Sequence, residues 1–188
     1  MSAVVDEFIV VLLAAGKSSR TTDIKQLYYS HGEYLINRQI KIVESYGYKV
    51  AVVLGYEYER VKSVLKKDVE VIRNREYEEG MISSVKVAFE NLKAKKLIFC
   101  HIDRPMVSKE IFEKILEKDD AIVTTYYNNK KAPPIMIDYS MKKELLDSNI
   151  DRLDYWIEST NRASFVEVDD AKVHFNANSD AELERYFG

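Results

Sequence analysis

The stretch "VLLAAGKSSR", Val11 to Arg20, places a lysine, two serines and an arginine directly after a glycine. A Walker A phosphate loop needs a further glycine five positions before Gly16, so that amides on both sides of the loop curl round a phosphate. That position is Val11, inside the apolar run "FIVVLLAA", which reads as a buried strand. What is left is a strand that ends in Leu13, Ala14, Ala15 and Gly16 and is followed by Lys17, Ser18, Ser19, Arg20 and then Lys25. Gly16 permits a tight turn, exposed amides and hydroxyls donate to oxygen, and the cations complement negative charge, so an anionic ligand suits the loop. A solvated strand-to-helix loop has the same composition.

Three more stretches carry comparable chemistry. In "KLIFCHIDRPMV", Asp103 follows a buried strand and Pro105 turns the chain away. A carboxylate there needs a partner: a magnesium ion, which takes one or two carboxylates plus substrate phosphates, or a cap or salt bridge. Cys100 and His101 are adjacent on that strand and point to opposite faces, which disfavours a zinc pair; a satisfied core histidine and a buried thiol are expected instead. In "NREYEEGMISSVKVAF", Gly80 precedes a helical pattern whose first turn holds Met81, Ile82, Ser83 and Ser84. Free amides and two hydroxyls there can receive a base edge or a phosphate, or can simply cap the helix. In "FNANSDAELERY", Asn176 and Asn178 precede the final helix, for which Ser179 is an N-cap.

The elements that position these residues alternate. Phe8 to Ala14, Lys49 to Leu54, Val69 to Ile72, Lys96 to Ile102 and Ala121 to Tyr126 read as strands. Between them, helical spacing links Ile36, Ile40 and Val43; Tyr58, Val61 and Leu65; Val85, Phe89 and Leu92; and Ile111, Ile115 and Leu116. This predicts an α/β core with a mostly parallel sheet, whose ligands bind beyond the carboxyl ends of the strands. Later, "PPIMID" reads as an edge strand, Leu153 to Ile157 as a short helix, "FVEV" and "VHFN" as strands, and Asp180 to Phe187 as a closing helix.

Composition sets the frame. The 188 residues are 46% hydrophobic, enough to bury the core of one domain, and no Gly, Pro or Ser-rich linker divides residues 1–188. Twenty-eight basic against 31 acidic residues leave a formal charge of -3, which argues against nucleic acid as a partner. The single cysteine excludes an intrachain disulfide. The start "MSAVVDEF" carries acid where a signal peptide carries lysine or arginine, and no apolar run has the length of a membrane span. A cytoplasmic protein with no membrane partner is expected.

Taken together, the four stretches resemble the MobA-like nucleotidyltransferases, and among them the molybdenum cofactor cytidylyltransferases. The family's Leu-x-Ala-Gly-x-Ser-x-Arg is similar to Leu13, Ala15, Gly16, Ser18 and Arg20, with its lysine at Lys25. Its Asp-x-Pro is similar to Asp103 and Pro105. Its Asn-x(5)-Gly-Met-x-Ser-Ser is similar to Asn74, Gly80, Met81, Ser83 and Ser84, and its terminal motif looks like Asn176, Asn178, Ser179, Glu182 and Leu183. The resemblance runs from Phe8 to the last helix. It implies a three-layer, doubly wound sheet of the nucleotide-diphosphosugar transferase (glycosyltransferase A-like) type, and transfer of a nucleotide from a nucleoside triphosphate to a phosphate monoester. It also implies catalytic Arg20, Lys25 and Asp103, and Mg2+ held by Asp103 and Asn178. The nucleotide would lie on Leu13, Ala14, Ala15, Gly16 and Ser18 and on Gly80, Met81, Ser83 and Ser84.

The methyl of Ala15 narrows the room for a purine, so CTP is expected ahead of GTP, with molybdopterin as the phosphorylated acceptor. Departures from the family lie elsewhere. Thr21 and Thr22 stand where Met-Gly is usual, Ala132 to Ile135 replace Gly-His-Pro-Val, and of the Gly-Asp-x-Gly loop only Asp151 has a counterpart. The resemblance implies that the later two segments help grip the acceptor in relatives. Three readings are open: the cytidylyltransferase, a guanylyl or sugar-phosphate nucleotidyl transferase, and a binding protein without turnover. A P-loop would use Lys17 to reach phosphate, whereas the transferase reading uses Arg20 and Lys25. In steady-state assays Lys17→Ala is therefore expected to retain clearly more activity than Lys25→Ala or Arg20→Ala, and the reverse ranking restores the P-loop.

Overall fold

From Phe8 to Ala14 the chain has no polar side chain, so as a strand it has to be covered on both faces. It forms most of β1 (Asp6–Ala14), and alternate residues feed two cores: Val10, Leu12 and Ala14 enter one, Ile9, Val11 and Leu13 the other. The computed structural model describes residues 5–65 and 68–188; the first four residues of the "MSAVVDEF" start lie outside them. The further strands are β2 (Tyr29–Ser30), β3 (Glu33–Tyr34), β4 (Val50–Leu54), β5 (Glu70–Arg73), β6 (Ala94–His101), β7 (Ile122–Tyr127), β8 (Lys130–Asp138) and β9 (Ala163–Glu167). The helices are α1 (Leu35–Ser45), α2 (Tyr58–Lys62), α3 (Met81–Asn91), α4 (Lys109–Leu116), α5 (Lys142–Asp147), α6 (Leu153–Thr160) and α7 (Asp180–Phe187).

The seven-stranded sheet has the order β5-β4-β1-β6-β8-β7-β9, and only β8 runs against its neighbours. Helices α1, α2, α4 and α7 pack on one face and α3, α5 and α6 on the other, which is the expected three-layer α/β arrangement. The order reverses at β1, which pairs with β4 on one side and β6 on the other. Leu13 lies opposite His101 there, and the Ile102 N–H donates to Leu13 O at 3.1 Å. Ligand crevices of such sheets open at this kind of switch point.

Three expectations about the later chain need correction. The "PPIMID" strand is not at an edge: β8 lies between β6 and β7. Its prolines are tolerated because pairing with β7 jumps from Thr124–Ile135 to Thr125–Ala132, a bulge that skips Pro133 and Pro134. Thr125 Oγ1 donates across that bulge to Ala132 O at 2.7 Å and Pro133 O at 3.0 Å. "VHFN" is no strand. Residues Ala171–His174 form a 3-10 turn capped by Asp170, whose carboxylate accepts from Lys172 N at 2.9 Å, and Arg104 Nη1 donates to Val173 O at 2.7 Å. Finally, α2 ends at Lys62, so Leu65 packs beyond it. Among the described residues no helix is long and apolar enough to cross a membrane.

Candidate active site

After β1 the chain leaves Ala15 buried and Gly16 exposed. Gly16 does not take the left-handed backbone expected of a tight-turn glycine; Ser18 does, at φ 53°. A Cβ at Gly16 would meet nothing within 4 Å, so this glycine presents bare backbone to open space. The Ser18 hydroxyl faces the protein. It accepts from Lys25 N at 3.1 Å and donates to Gln26 Oε1 at 3.4 Å. Gln26, 1% exposed, also donates from Nε2 to Ala14 O at 2.6 Å and Gly16 O at 3.3 Å. Sequence reading missed Gln26; its only signal is a polar residue beside Lys25 in "IKQL".

Lys25 itself is buried. Its Nζ lies 3.2 Å from Asp103 Oδ2 and 3.2 Å from Asn178 Oδ1, and Arg20 Nη2 donates to the same Asn178 oxygen at 2.8 Å. The four residues named from the sequence as cations and metal ligands thus form one connected group. Asp103 follows β6, and the loop that carries Asn178 is tied to it by Ala177 N–H donating to Asp103 O at 2.8 Å. Ser179 caps α7, as expected, while Glu182 Oε2 accepts from Asn178 N at 2.8 Å, which with the Ser179 hydroxyl holds the Glu182 carboxyl below its ordinary range. Thr22, a departure from the family pattern, is held by Asp180: its Oγ1 donates to Oδ2 at 2.5 Å and its N–H to both carboxylate oxygens at 3.1 Å.

Lys17 points elsewhere. It forms an ion pair with Glu78, which raises its pKa, and its Nζ lies 5.9 Å from the Tyr77 ring centroid.

Gly80 opens α3 at φ 84° and ψ -177°, a conformation essentially reserved for glycine, and Met81 beside it is exposed. Ser83 and Ser84 are buried, and Asn74 Nδ2 donates to both hydroxyl oxygens at 2.9 Å. Ser83 spends its own proton on Gly80 O at 2.8 Å. Its hydroxyl is therefore structural, and only Ser84 of the pair lines the cleft. The bond from Asn74 N–H to Leu54 O at 2.7 Å anchors this triad to the end of β4.

The cleft of about 290 Å³ between these segments is lined by Ala15, Gly16, Lys25, Met81, Ser84 and Asp103, among others. A second cavity of about 420 Å³ adjoins it, lined by Lys131, Ile135, Asp151, Arg152, Leu153 and Ile157, among others. Gly80, Met81 and His101 line both. The divergent segment therefore walls the second cavity. His101 is not a satisfied core histidine: its Nε2 is shielded from water and has no partner among the described residues. Burial pushes its pKa down to about 4, against the opposing pull of Asp103, so the ring is neutral at pH 7. Cys100, by contrast, is sealed in the core, and burial pushes its thiol upward.

Among the described residues no three of His, Cys, Asp and Glu gather as a metal cluster. A cation here would have Asp103 and the amide oxygen of Asn178, two hard oxygens that Lys25 already holds near one another. That donor set suits magnesium, which binds few protein ligands and completes its shell with phosphate and water.

A model of the MobA-like NTP transferase domain matches residues 10–163. The molybdenum cofactor cytidylyltransferase of Escherichia coli (strain K12) is 25% identical over 132 residues, 68% of either chain. Among solved structures, Rv0371c of Mycobacterium tuberculosis H37Rv superposes with a TM-score of 0.83 at 19% identity, covering 97% of this chain and 98% of that one. A nucleotidyl transferase from Methanothermobacter superposes with a TM-score of 0.80 at 20% identity, covering 95% of both.

His101 has a consequence for stability. Its pKa is lower in the folded chain than the ordinary 6.5, so on acidification the unfolded state takes up a proton first. The contribution is fully present above the unfolded value and is lost as pH falls from 6.5 towards 4. Denaturant titrations at pH 7 and pH 5 are expected to show the parent losing about 2 kcal/mol more than His101→Gln. Equal losses would place the ring in an environment no different from water.

Proposed function

Because the chain belongs to the MobA-like NTP transferase family, we propose that it transfers a nucleoside monophosphate from a nucleoside triphosphate, CTP by preference, to a phosphate monoester, with release of pyrophosphate. The acceptor we propose is molybdopterin. The observation that carries the reading is the buried ammonium of Lys25, held between Asp103 and Asn178 in the wall of the smaller cleft.

In this reading the nucleoside triphosphate enters the cleft along Ala15 and Gly16, whose bare backbone lets phosphate oxygens come close. The acceptor enters the second cavity with its phosphate towards Gly80 and His101, which border both. An acceptor phosphate oxygen attacks the α-phosphorus, the bond to the bridging oxygen breaks, and pyrophosphate leaves. Lys25 and Arg20, which gather at Asn178, meet the negative charge that builds during that exchange. Asp103 and Asn178 would hold magnesium. When bound, the metal supplies Lewis-acid polarisation of the phosphate oxygens. No covalent enzyme intermediate is required, since positioning and electrostatics suffice for this transfer.

The base preference is supported by the buried Ala15 methyl in the cleft wall and by the likeness to the E. coli cytidylyltransferase. A second reading, in which another phosphorylated compound is the acceptor, is favoured by one observation. The second cavity is lined by the segment that departs from the family pattern, including Ala132, Ile135 and Asp151.

A pyrophosphate-release screen of the four nucleoside triphosphates against molybdopterin and sugar phosphates, with magnesium and with chelator, tests all of this. CTP with molybdopterin and magnesium is expected to give the fastest release, and Asp103→Asn to slow it by about a hundredfold or more. Release that is independent of metal, or an Asp103→Asn variant at the parent rate, would remove the metal role. Faster release with GTP would overturn the base.

A further inference from the structure

Tyr77 falls at an unspecified position inside the Asn74 to Ser84 motif, and it lines the nucleotide cleft. It opens the short turn Tyr77–Glu79, between β5 and the N-terminus of α3. Its closeness to the end of β1 depends on Gly55. A Cβ at that position would come within 2.6 Å of Tyr77 Cβ and 2.8 Å of Ala15 O, distances that no side chain tolerates. The absence of a side chain at Gly55 therefore leaves Tyr77 room beside the end of β1.

The neighbours hold that arrangement. Tyr56 N–H donates to Ala15 O at 3.0 Å, and the Tyr56 and Tyr77 rings meet edge-on with centroids 6.1 Å apart. Lys17 is a second neighbour, with its Nζ 5.9 Å from the Tyr77 centroid and its charge paired with the adjacent Glu78. The Tyr77 hydroxyl makes no hydrogen bond among the described residues, and the ring is only partly buried. An aromatic ring set in the wall of a cleft, held by two neighbours and only partly buried, is a surface on which a heteroaromatic ring gains contact.

We infer that Tyr77 contacts the nucleobase of the bound nucleoside triphosphate, and that Gly55 is the position that permits it. The inference rests on the nucleotidyltransferase reading of the cleft. It separates two tasks. Tyr77 supplies affinity for any base, because every base presents a π face, whereas the Ala15 methyl and Ser84 bear on which base is preferred. Lys17 acquires a role too, as a brace for Tyr77 and not as a phosphate ligand.

Calorimetric titration of the whole chain with magnesium and either CTP or inorganic tripolyphosphate, which carries no base, tests the inference. Tyr77→Ala is expected to weaken CTP about tenfold or more while changing tripolyphosphate less than about twofold; Tyr77→Phe is expected to keep both affinities. Gly55→Ala, whose Cβ would crowd both Tyr77 and the Ala15 carbonyl, is expected to weaken CTP as well. Thermal unfolding of each variant checks that the fold persists. An unchanged CTP affinity in Tyr77→Ala overturns the inference, and so does an equal loss for both ligands, which makes Tyr77 a prop for the phosphate loop. A parent chain that binds none of the four nucleotides refutes the nucleotidyltransferase reading itself, and the inference with it.

Discussion

A lysine ammonium withdrawn from water is tolerated only where oxygen atoms replace its hydration, and Lys25 is 7% exposed. The oxygens come from two distant places: Asp103, after the strand next to β1, and Asn178, before the last helix. Meeting this one charge therefore draws the beginning, middle and end of the chain to a single point. Much of the surrounding structure holds the three contributors in place. Gln26 ties the Lys25 turn to the β1 end, the Ala177–Asp103 backbone bond fixes the Asn178 loop, and Arg104 takes the carbonyl of Val173 further back along that loop.

The same constraint explains why the opening loop departs from the family pattern without coming loose. Thr21 Oγ1 donates to Ser18 O at 2.9 Å and Asp23 O at 2.6 Å, and Thr22 is clasped by Asp180 at the start of α7. Arg60 in α2 pairs with Asp23. Where a glycine would leave the loop free, side-chain hydrogen bonds here fasten it to the helix that follows Asn178. The second cavity is held differently, with the buried Thr125 hydroxyl on the Ala132 and Pro133 carbonyls behind it. Its rim carries the ion pairs Lys131–Glu158 and Arg152–Asp154, both well exposed, and such pairs contribute little to rigidity or stability. On the proposed reading, the transfer chemistry sits among the closely hydrogen-bonded segments around Lys25, and the acceptor side among the segments whose sequence has diverged.

Much of this was legible in the sequence, because the physics involved is local. Alternating apolar runs and helical spacing marked the parallel half of the sheet and its helices, since burying a strand on both faces leaves no other composition open to it. The small residues at Ala14 to Gly16, the carboxylate before Pro105 and the serine cap at Ser179 could each be read in place. So could the membership of Arg20, Lys25, Asp103 and Asn178 in one group, through their resemblance to a family. What neighbours in space decide was hidden. Nothing near Ser83 announces that Asn74 and Gly80 use up its hydroxyl, and nothing near Pro133 announces a bulge that lets prolines lie inside a sheet. His101 read as a core residue, and only the packing of β6 against two cavities left its Nε2 without a partner. Tyr77 reads as one tyrosine among 13; the missing side chain at Gly55, 22 positions earlier, is what brings it to the cleft. Periodicity and composition determined the layers, because burial is settled residue by residue. Which polar atoms are left over to meet a ligand was decided by the tertiary structure, because hydrogen bonds are exclusive and their partners come from anywhere in the chain.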